Sequence, residues 1–155
     1  MMSKLMNPEH VFLDVDLTQR DDVLKFLSNK AVELGMATNS EDAFEAFLIR
    51  EEEGPTGMIE DFAIPHAKAD VIDNAGIIVT RLKDSAPDWP SFDDAPISIA
   101  IALLIPGVEA GTTHIRLLSK CAVLINDENF RDELRKTNDP QHVSNLINAG
   151  LEDKS

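Results

Sequence analysis

The sequence is poor in cysteine and in aromatic residues. Its 155 residues include one cysteine, Cys121, one tryptophan and no tyrosine. A lone cysteine excludes an internal disulfide. The N-terminal residues also lack a basic segment followed by an apolar core of about 7–15 residues, the pattern of an export signal. These absences predict a cytoplasmic protein.

Basic residues and long apolar runs are scarce as well. The 14 Lys and Arg residues stand against 28 Asp and Glu residues, which gives a formal net charge of -14. Such a charge is unfavourable for binding nucleic acid or anionic membrane surfaces. The longest apolar run, Ile97 to Ile105, is about half the roughly 20 residues of a membrane helix. We expect no nucleic-acid partner and no direct membrane insertion.

Motifs for nucleotide binding and serine hydrolysis are absent. The sequence has no G-x-x-x-x-G-K-[ST], G-x-G-x-x-G or G-x-S-x-G pattern. His66 and His114 lie 48 positions apart without a short-spaced metal-ligand signature, which disfavours a metal site. Cys121 falls on an apolar helical stripe, where a buried free thiol is the usual outcome. His10 and His142 are interpreted as surface histidines.

Apolar patterns predict an α/β domain with strands covered by helices on both faces. Alternating or continuous apolar residues predict strands at Val11 to Leu17, Phe62 to Ile64, Gly76 to Leu82 and Ile97 to Ile105. Spacings of three and four residues predict five helices, whose starts we assign to Thr18, Ser40, Gly111 to Thr113, Asp127 and Asp139. We expect a single domain over residues 1–155, with a core at about 11–151.

Three residues of these elements combine into a candidate site. Arg50 lies near the end of the second helix, His66 directly follows the strand that Pro65 ends, and His114 falls in the first turn of a later helix. A loop after one strand and a helix N-terminus after another could face a common pocket. A neutral histidine there could act as a nucleophile and accept a phosphoryl group. Arginine and a helix N-terminus would bind the phosphate oxygens. The simpler interpretation of Arg50 is a cation at a helix C-terminus that pairs with neighbouring glutamates.

Two segments resemble a known family. The segment Arg50-Glu51, Pro55-Thr56-Gly57 and Ala63-Ile64-Pro65-His66-Ala67-Lys68, followed by Thr113-His114-Ile115-Arg116-Leu117-Leu118, is similar to the enzyme IIA component of the bacterial sugar phosphotransferase system, fructose/mannitol type. The order of elements fits from about residue 11 to 151. The resemblance implies a single-domain sandwich with a mixed parallel/antiparallel sheet of about five strands flanked by helices.

The resemblance also implies a phosphotransferase that works as a phosphocarrier. His66 would accept a phosphoryl group on Nε2 from the phosphocarrier protein HPr and pass it to a cysteine of a IIB component, with a IIC permease acting downstream. Arg50 and His114 would stabilise the transferring group, and Thr56 would lie near the phosphate or form the turn. No metal and no other cofactor is implied.

Two alternatives and a docking surface complete these expectations. A regulatory phosphoprotein of the nitrogen-related branch would use the same histidine to control protein binding, and a third possibility is a metal or small-ligand domain. Transfer between proteins needs an apolar surface with a polar rim. Met58, Ile59 and Phe62 are either that surface or core. Its acidic rim is interpreted as Glu51 to Glu53, Glu60 and Asp61.

Overall fold

The computed structural model describes residues 6–108 and 111–151, with side chains in the second range described from Ile115 onward. These residues form a short 3-10 helix, Pro8–His10, and then five strands and five helices. The strands are β1 (Val11–Val15), β2 (Phe62–Ala63), β3 (His66–Ala69), β4 (Gly76–Ala86) and β5 (Ile97–Pro106). The helices are α1 (Arg20–Glu33), α2 (Ser40–Glu53), α3 (Gly111–Ile125), α4 (Glu128–Lys136) and α5 (Pro140–Leu151).

The five strands form one mixed sheet. Its order is β1-β4-β5-β2, and β3 also pairs with β5. The β4 and β5 strands are antiparallel, whereas β1 is parallel to β4 and both β2 and β3 are parallel to β5. The predicted α/β fold with a mixed five-stranded sheet is therefore confirmed. The edge opposite β1 consists of β2 and β3, with Ile64 and Pro65 between them.

Strand β5 is central and buried on both faces, as its continuous apolar sequence predicts. Its alternate residues Ile99, Ile101, Leu103 and Ile105 pack on the side that carries α3, α4 and α5. Its residues Ala100, Ala102 and Leu104 pack on the other side, with α1 and α2. The alanines allow α2 to approach the sheet closely. This close approach brings the end of α2 near the edge formed by β2 and β3.

The start of α1 differs from the prediction, whereas α2 begins at Ser40 as predicted. Helix α1 begins after Gln19, which makes no side-chain cap bond, so the assignment of its cap to Thr18 was wrong. Helix α2 is capped by Asn39, whose side chain accepts from the Asp42 N–H, so Ser40 is the first helical residue. Asparagine and serine are equally good caps, which explains the ambiguity. The predicted caps Asp127 and Asp139 are confirmed by bonds to amides of the first turn.

The predicted end of one strand also needs correction. Strand β4 continues to Ala86, beyond its predicted end at Leu82. Ile115 is 64% exposed and lies outside the buried stripe of α3, which consists of Leu117, Cys121 and Ile125. Trp89, in the loop between β4 and β5, is buried and packs on the side of the sheet that carries α1 and α2. No helix within the described ranges is long and apolar enough to cross a membrane.

Candidate functional site

His66 is the first residue of β3 and lies at the sheet edge, 5% exposed. His66 follows the end of β2, as predicted, but the chain resumes pairing with β5 after Pro65, so His66 also begins a strand that the sequence did not predict. The Pro65 carbonyl accepts the Leu103 N–H at 2.9 Å, which fixes the backbone directly before the histidine. The next residue, Ala67, packs against the α1 and α2 side. Because side chains alternate along a strand, His66 lies toward the side of α3.

Hydrogen bonds to both ring nitrogens define the state of the His66 imidazole. Its Nδ1 lies 3.1 Å from the Ile64 carbonyl oxygen, and its Nε2 accepts from Arg50 Nε at 2.8 Å. A carbonyl oxygen only accepts and a guanidinium only donates. The bonds therefore place the proton on Nδ1 and a lone pair on Nε2. This is the neutral tautomer with Nε2 as the nucleophilic atom.

Arg50 reaches the histidine from the last turn of α2. Besides its bond to His66, its Nη1 donates to the Gly54 carbonyl at 2.6 Å, directly after the helix. The guanidinium is thus held at two points, one on the backbone and one on the imidazole. The simpler interpretation of Arg50 is confirmed in part, because its side chain lies in the last turn of α2 and binds the carbonyl of the C-terminal cap residue. Pairing with neighbouring glutamates is not among its described bonds. The bond between Arg50 and His66 brings together two of the three predicted site residues.

Glu51 is buried and holds Thr56. Its carboxylate accepts the Thr56 N–H at 3.2 Å and the Thr56 hydroxyl through a short hydrogen bond. The interpretation of Glu51 as part of an exposed acidic rim was therefore wrong, whereas Glu52 and Glu53 are exposed. Glu51 directly follows Arg50 on α2. It links the end of that helix to the loop that leads to His66.

Residues 56–64 form a small hairpin that connects Thr56 with the histidine. The Thr56 carbonyl accepts the Ile64 N–H at 3.0 Å, and the Phe62 carbonyl accepts the Met58 N–H at 2.7 Å. Gly57 lies so close to the 87–96 loop that a Cβ atom there would fall 2.1 Å from the Pro90 carbonyl oxygen. Only glycine permits this approach. The hairpin is therefore fixed on both sides.

The burial of Met58, Ile59 and Phe62 decides between the two interpretations of these residues, a docking surface or core packing. Phe62 is fully buried in the core, and Met58 and Ile59 are partly buried against it. A residue that the sequence did not single out, Phe92, is 83% exposed. With Pro55, Gly57, Met58 and Ser91 it lines an open groove of about 220 Å³. In the sequence, the only signal for this groove is that Phe92 stands beside the acidic residues Asp93 and Asp94.

The other three histidines and the cysteine have no described contact with His66. His114 is the fourth residue of α3, but its side chain lies outside the described residues. His142 is partly exposed and bonds Glu133 at 2.6 Å, and His10 is half-buried. Burial raises the pKa of the Cys121 thiol to about 12, which keeps it protonated at neutral pH. In the part of the chain that is described, no three His, Cys, Asp or Glu residues form a group that could hold a metal.

This arrangement suits nucleophilic attack by an imidazole. The Nε2 lone pair of His66 faces a guanidinium that is already anchored, and guanidinium groups stabilise the negative charge that spreads over a transferring phosphoryl group. Such transfer depends mainly on positioning and electrostatic stabilisation. The geometry therefore has the two elements that phosphoryl transfer to a histidine requires.

Comparison with known proteins gives relatives of two kinds. The chain is 30% identical over 146 residues to the nitrogen regulatory protein of Bradyrhizobium diazoefficiens, covering 94% of each protein. It is 26% identical over 147 residues to the 2-O-alpha-mannosyl-D-glycerate-specific EIIABC component of Escherichia coli K12. That match covers 94% of this chain but 22% of the relative. The chain thus corresponds to about a fifth of the mannosylglycerate protein and to nearly all of the regulatory one.

The similar solved structures also include both a regulatory protein and a component of a sugar system. Nitrogen regulatory protein IIA-Ntr from Neisseria meningitidis superposes with a TM-score of 0.85 at 23% identity, covering 92% of this chain and 96% of that one. Enzyme IIA of mannitol from Escherichia coli, in complex with phosphorylated enzyme IIB, superposes at 0.76 with 21% identity, covering 92% and 96%. The model of the phosphoenolpyruvate-dependent sugar phosphotransferase system EIIA 2 family matches residues 4–150. The chain therefore belongs to this EIIA 2 family of phosphoryl-transfer components, as the resemblance of its sequence indicated.

Proposed function

We propose that this protein is a phosphocarrier in which Nε2 of His66 accepts a phosphoryl group from phospho-HPr and passes it to a cysteine of a IIB component. The observation that carries the proposal is the pair of hydrogen bonds on the His66 ring. Nδ1 is bound to the Ile64 carbonyl, and Nε2 faces Arg50 at 2.8 Å. These bonds leave Nε2 as the nitrogen able to form a bond to phosphorus.

In the transfer step, the Nε2 lone pair attacks the phosphorus of the donor phosphohistidine. The new N–P bond forms as the donor N–P bond breaks, and that bond's electron pair returns to the donor imidazole. Arg50 can no longer donate to Nε2 once this nitrogen is phosphorylated. Its Nε–H turns to a phosphoryl oxygen, while its bond to the Gly54 carbonyl keeps the guanidinium nearby. A IIB thiolate then attacks the same phosphorus and restores the free imidazole.

Protein partners also need a docking surface, and the groove beside the hairpin supports one. Phe92 at its rim is largely exposed, and Met58 and Pro55 line it. Exposed aromatic side chains with polar neighbours are typical of protein interfaces. Asp93 and Asp94 directly follow Phe92 and are exposed, which favours a partner with a basic surface.

A second candidate function is regulatory, and a specific observation favours it. The nitrogen regulatory protein of Bradyrhizobium diazoefficiens is 30% identical to this chain over 146 residues, compared with 26% over 147 residues for the mannosylglycerate relative. In this alternative, His66 is still phosphorylated. The phosphorylated state then controls binding to another protein instead of supplying a IIB component.

The carrier role is tested by incubating the protein with phosphoenolpyruvate, enzyme I and HPr. We expect an acid-labile, base-stable phosphate on the wild type and none on His66→Ala. His114→Ala should be phosphorylated more slowly, with the site unchanged. A wild type that gains no phosphate, or a His66→Ala variant that gains as much, would refute the carrier role.

Addition of IIB components then separates the two candidate functions. A transport carrier should lose its phosphate to at least one IIB protein and regain it in repeated cycles. A regulator should remain phosphorylated in the presence of every IIB protein tested. The readout is the fraction of phosphoprotein by intact mass after each addition.

A further inference from the structure

The tip of the hairpin has an unfavourable backbone conformation. Glu60 and Asp61 are consecutive non-glycine residues with φ values of 58° and 68°. Residues with a Cβ atom are destabilised in this left-handed region, and two in succession need external support. The turn leads directly into β2 and from there to His66. Whatever holds this turn therefore also acts on the candidate site.

Arg135 of α4 contacts three successive residues at this turn. Its Nη2 donates to the Glu60 carbonyl and to the Asp61 carboxylate, both at 2.7 Å. Its guanidinium carbon lies 5.6 Å from the centre of the buried Phe62 ring. One side chain thus binds the backbone of the first strained residue, the side chain of the second and the ring of the residue that follows.

Asp93 supports the turn from the opposite side. Its carboxylate accepts the Glu60 N–H at 2.9 Å and the Ala95 N–H at 3.2 Å. The bond from the Glu60 N–H is the main cause that lowers the pKa of the Asp93 carboxyl, and the bond from the Ala95 N–H lowers it further. The peptide groups on both sides of the Glu60 Cα atom are therefore held by charged side chains. Arg135 binds its carbonyl and Asp93 binds its N–H.

The helix that carries Arg135 is itself anchored to the sheet. Arg81 of β4 is almost fully buried, and its Nη1 donates to the carbonyls of Leu134 at 3.1 Å and Thr137 at 2.5 Å. A cation at a helix C-terminus is also favourable for the helix dipole. Arg81 thus fixes the last turn of α4, which includes Arg135. Arg135 therefore contacts the hairpin turn from a helix end that is itself bound to β4.

A short chain of bonds links this turn to the imidazole. The Asp61 carbonyl accepts the Ser98 N–H at 2.8 Å, which ties the turn to β5. Two residues beyond Phe62, the Ile64 N–H bonds the Thr56 carbonyl, and the Ile64 carbonyl binds His66 Nδ1. A shift at the tip therefore moves the acceptor that orients the imidazole.

We propose that Arg135 is a positioning residue for phosphoryl transfer, which holds the Glu60-Asp61 turn so that His66 presents Nε2 to the donor. This proposal rests on the carrier function proposed above. Arg135 does not contact His66 itself. It acts through the hairpin, so its loss should alter the rate of transfer at saturating donor and leave donor binding unchanged.

The test compares Arg135→Gln with Arg131→Gln. Both changes remove one positive charge from α4 and one bond to a backbone carbonyl, since Arg131 donates to Ile125 at 2.7 Å. We measure phosphorylation by phospho-HPr over a range of donor concentrations. Arg135→Gln should lower the maximal rate by about 10-fold to about 100-fold, the loss that a misplacement of about 1 Å can cause, without changing the half-saturating concentration. Arg131→Gln should transfer at the wild-type rate, because the described bond of Arg131 goes to the Ile125 carbonyl and not to the Glu60-Asp61 turn.

A rescue variant distinguishes positioning from a general loss of stability. Glycine adopts positive φ without a Cβ penalty, so Glu60→Gly combined with Arg135→Gln should recover at least half of the lost rate on a logarithmic scale. An unchanged maximal rate in Arg135→Gln, an equal loss in Arg131→Gln, a rise only in the half-saturating concentration, or no rescue would overturn the proposal. If Arg135→Gln does not fold, Arg135→Lys is judged by the same criteria. Wild type that takes no phosphate would instead refute the carrier function.

Discussion

Arg50 and His66 lie on different elements, α2 and β3, and are joined by a hydrogen bond of 2.8 Å from Nε to Nε2. The sheet edge and the end of α2 meet at this bond. The alanines that face α2, including Ala63 and Ala67, permit the close approach that it requires. The position of the nucleophilic nitrogen thus depends on packing between the helix and the sheet.

The first prediction concerns Arg50 itself. Arg50→Ala removes the guanidinium that would stabilise the transferring group, and the loss of one such donor costs about 100-fold to 1,000-fold in rate. Arg50→Lys keeps the charge but not the fork that binds Gly54 and the histidine together, so we expect an intermediate rate. The measurement is the single-turnover rate with phospho-HPr. Arg20→Ala, which removes a surface arginine paired with Asp21, is the control and should behave as wild type. Equal rates for Arg50→Ala and Arg20→Ala would exclude this role.

The second prediction concerns the buried carboxylate of Glu51. Glu51→Ala leaves the amide and hydroxyl of Thr56 without their acceptor, and a buried unsatisfied group costs about 1–3 kcal/mol. We expect this loss in the free energy of unfolding, measured in urea, and faster hydrogen exchange at the Thr56 amide. The neighbouring Glu52 is exposed, so Glu52→Ala should change neither quantity. Similar effects of both variants would show that Glu51 does not hold the loop.

The third prediction uses two glycines of the same loop. A Cβ at Gly57 would meet the Pro90 carbonyl oxygen at 2.1 Å, whereas a Cβ at Gly54 would have its nearest neighbour at 4.0 Å. Overpacking against backbone atoms costs about 1–3 kcal/mol or more. Gly57→Ala should therefore lower the thermal midpoint clearly, and Gly54→Ala should be close to neutral. If Gly57→Ala is as stable as wild type, the packing of the hairpin on the 87–96 loop is wrong.

The fourth prediction is a pH dependence that arises from Cys121. Burial raises the pKa of its thiol from the ordinary 9.0 to about 12. Between these values the folded protein keeps a proton that the unfolded chain loses, so stability falls as pH rises through this window. The decrease approaches about 1.4 kcal/mol per pH unit. At about one pH unit below the ordinary pKa of 9.0, the thiol contributes almost no pH dependence.

Comparison with Cys121→Ala isolates this contribution. Other groups titrate in both proteins, so the difference between their free energies of unfolding reports the thiol alone. The difference should be constant from pH 6 to about pH 8.5 and then shift against the wild type as pH rises above 9.0. A difference that stays constant up to pH 11 would show that the thiol is not buried as described.

The arrangement of strands and helices could be predicted from sequence because it follows from apolar periodicity. The continuous apolar run of β5 indicated its central position, and the aspartates at 127 and 139 indicated two helix starts. The family motif selected His66 and Arg50. Periodicity could not decide between surface and core for Phe62 and did not predict the burial of Glu51, since the burial of both side chains depends on which element covers them. Phe62 is covered by core residues from the sheet and α4, and Glu51 by the loop that it binds.

The supports of the site were also beyond the sequence pattern. Arg135 lies 74 residues from Asp61 and 75 from Glu60 along the chain, and Arg81 lies 53 from Leu134. No local motif marks such pairs. They become visible only when the fold brings α4 against the hairpin and β4. The same holds for Phe92, whose exposure depends on the packing of the 87–96 loop.

We propose that Nε2 of His66 accepts the phosphoryl group because Nδ1 carries a proton held by the Ile64 carbonyl. Nitrogen-15 and phosphorus-31 NMR of the protein labelled at histidine tests this proposal directly. Before phosphorylation, the His66 ring should show a protonated Nδ1 and an unprotonated Nε2 at neutral pH. After incubation with phosphoenolpyruvate, enzyme I and HPr, the phosphorus should couple to Nε2 of His66. Coupling to Nδ1, or to a nitrogen of another histidine, would contradict the account.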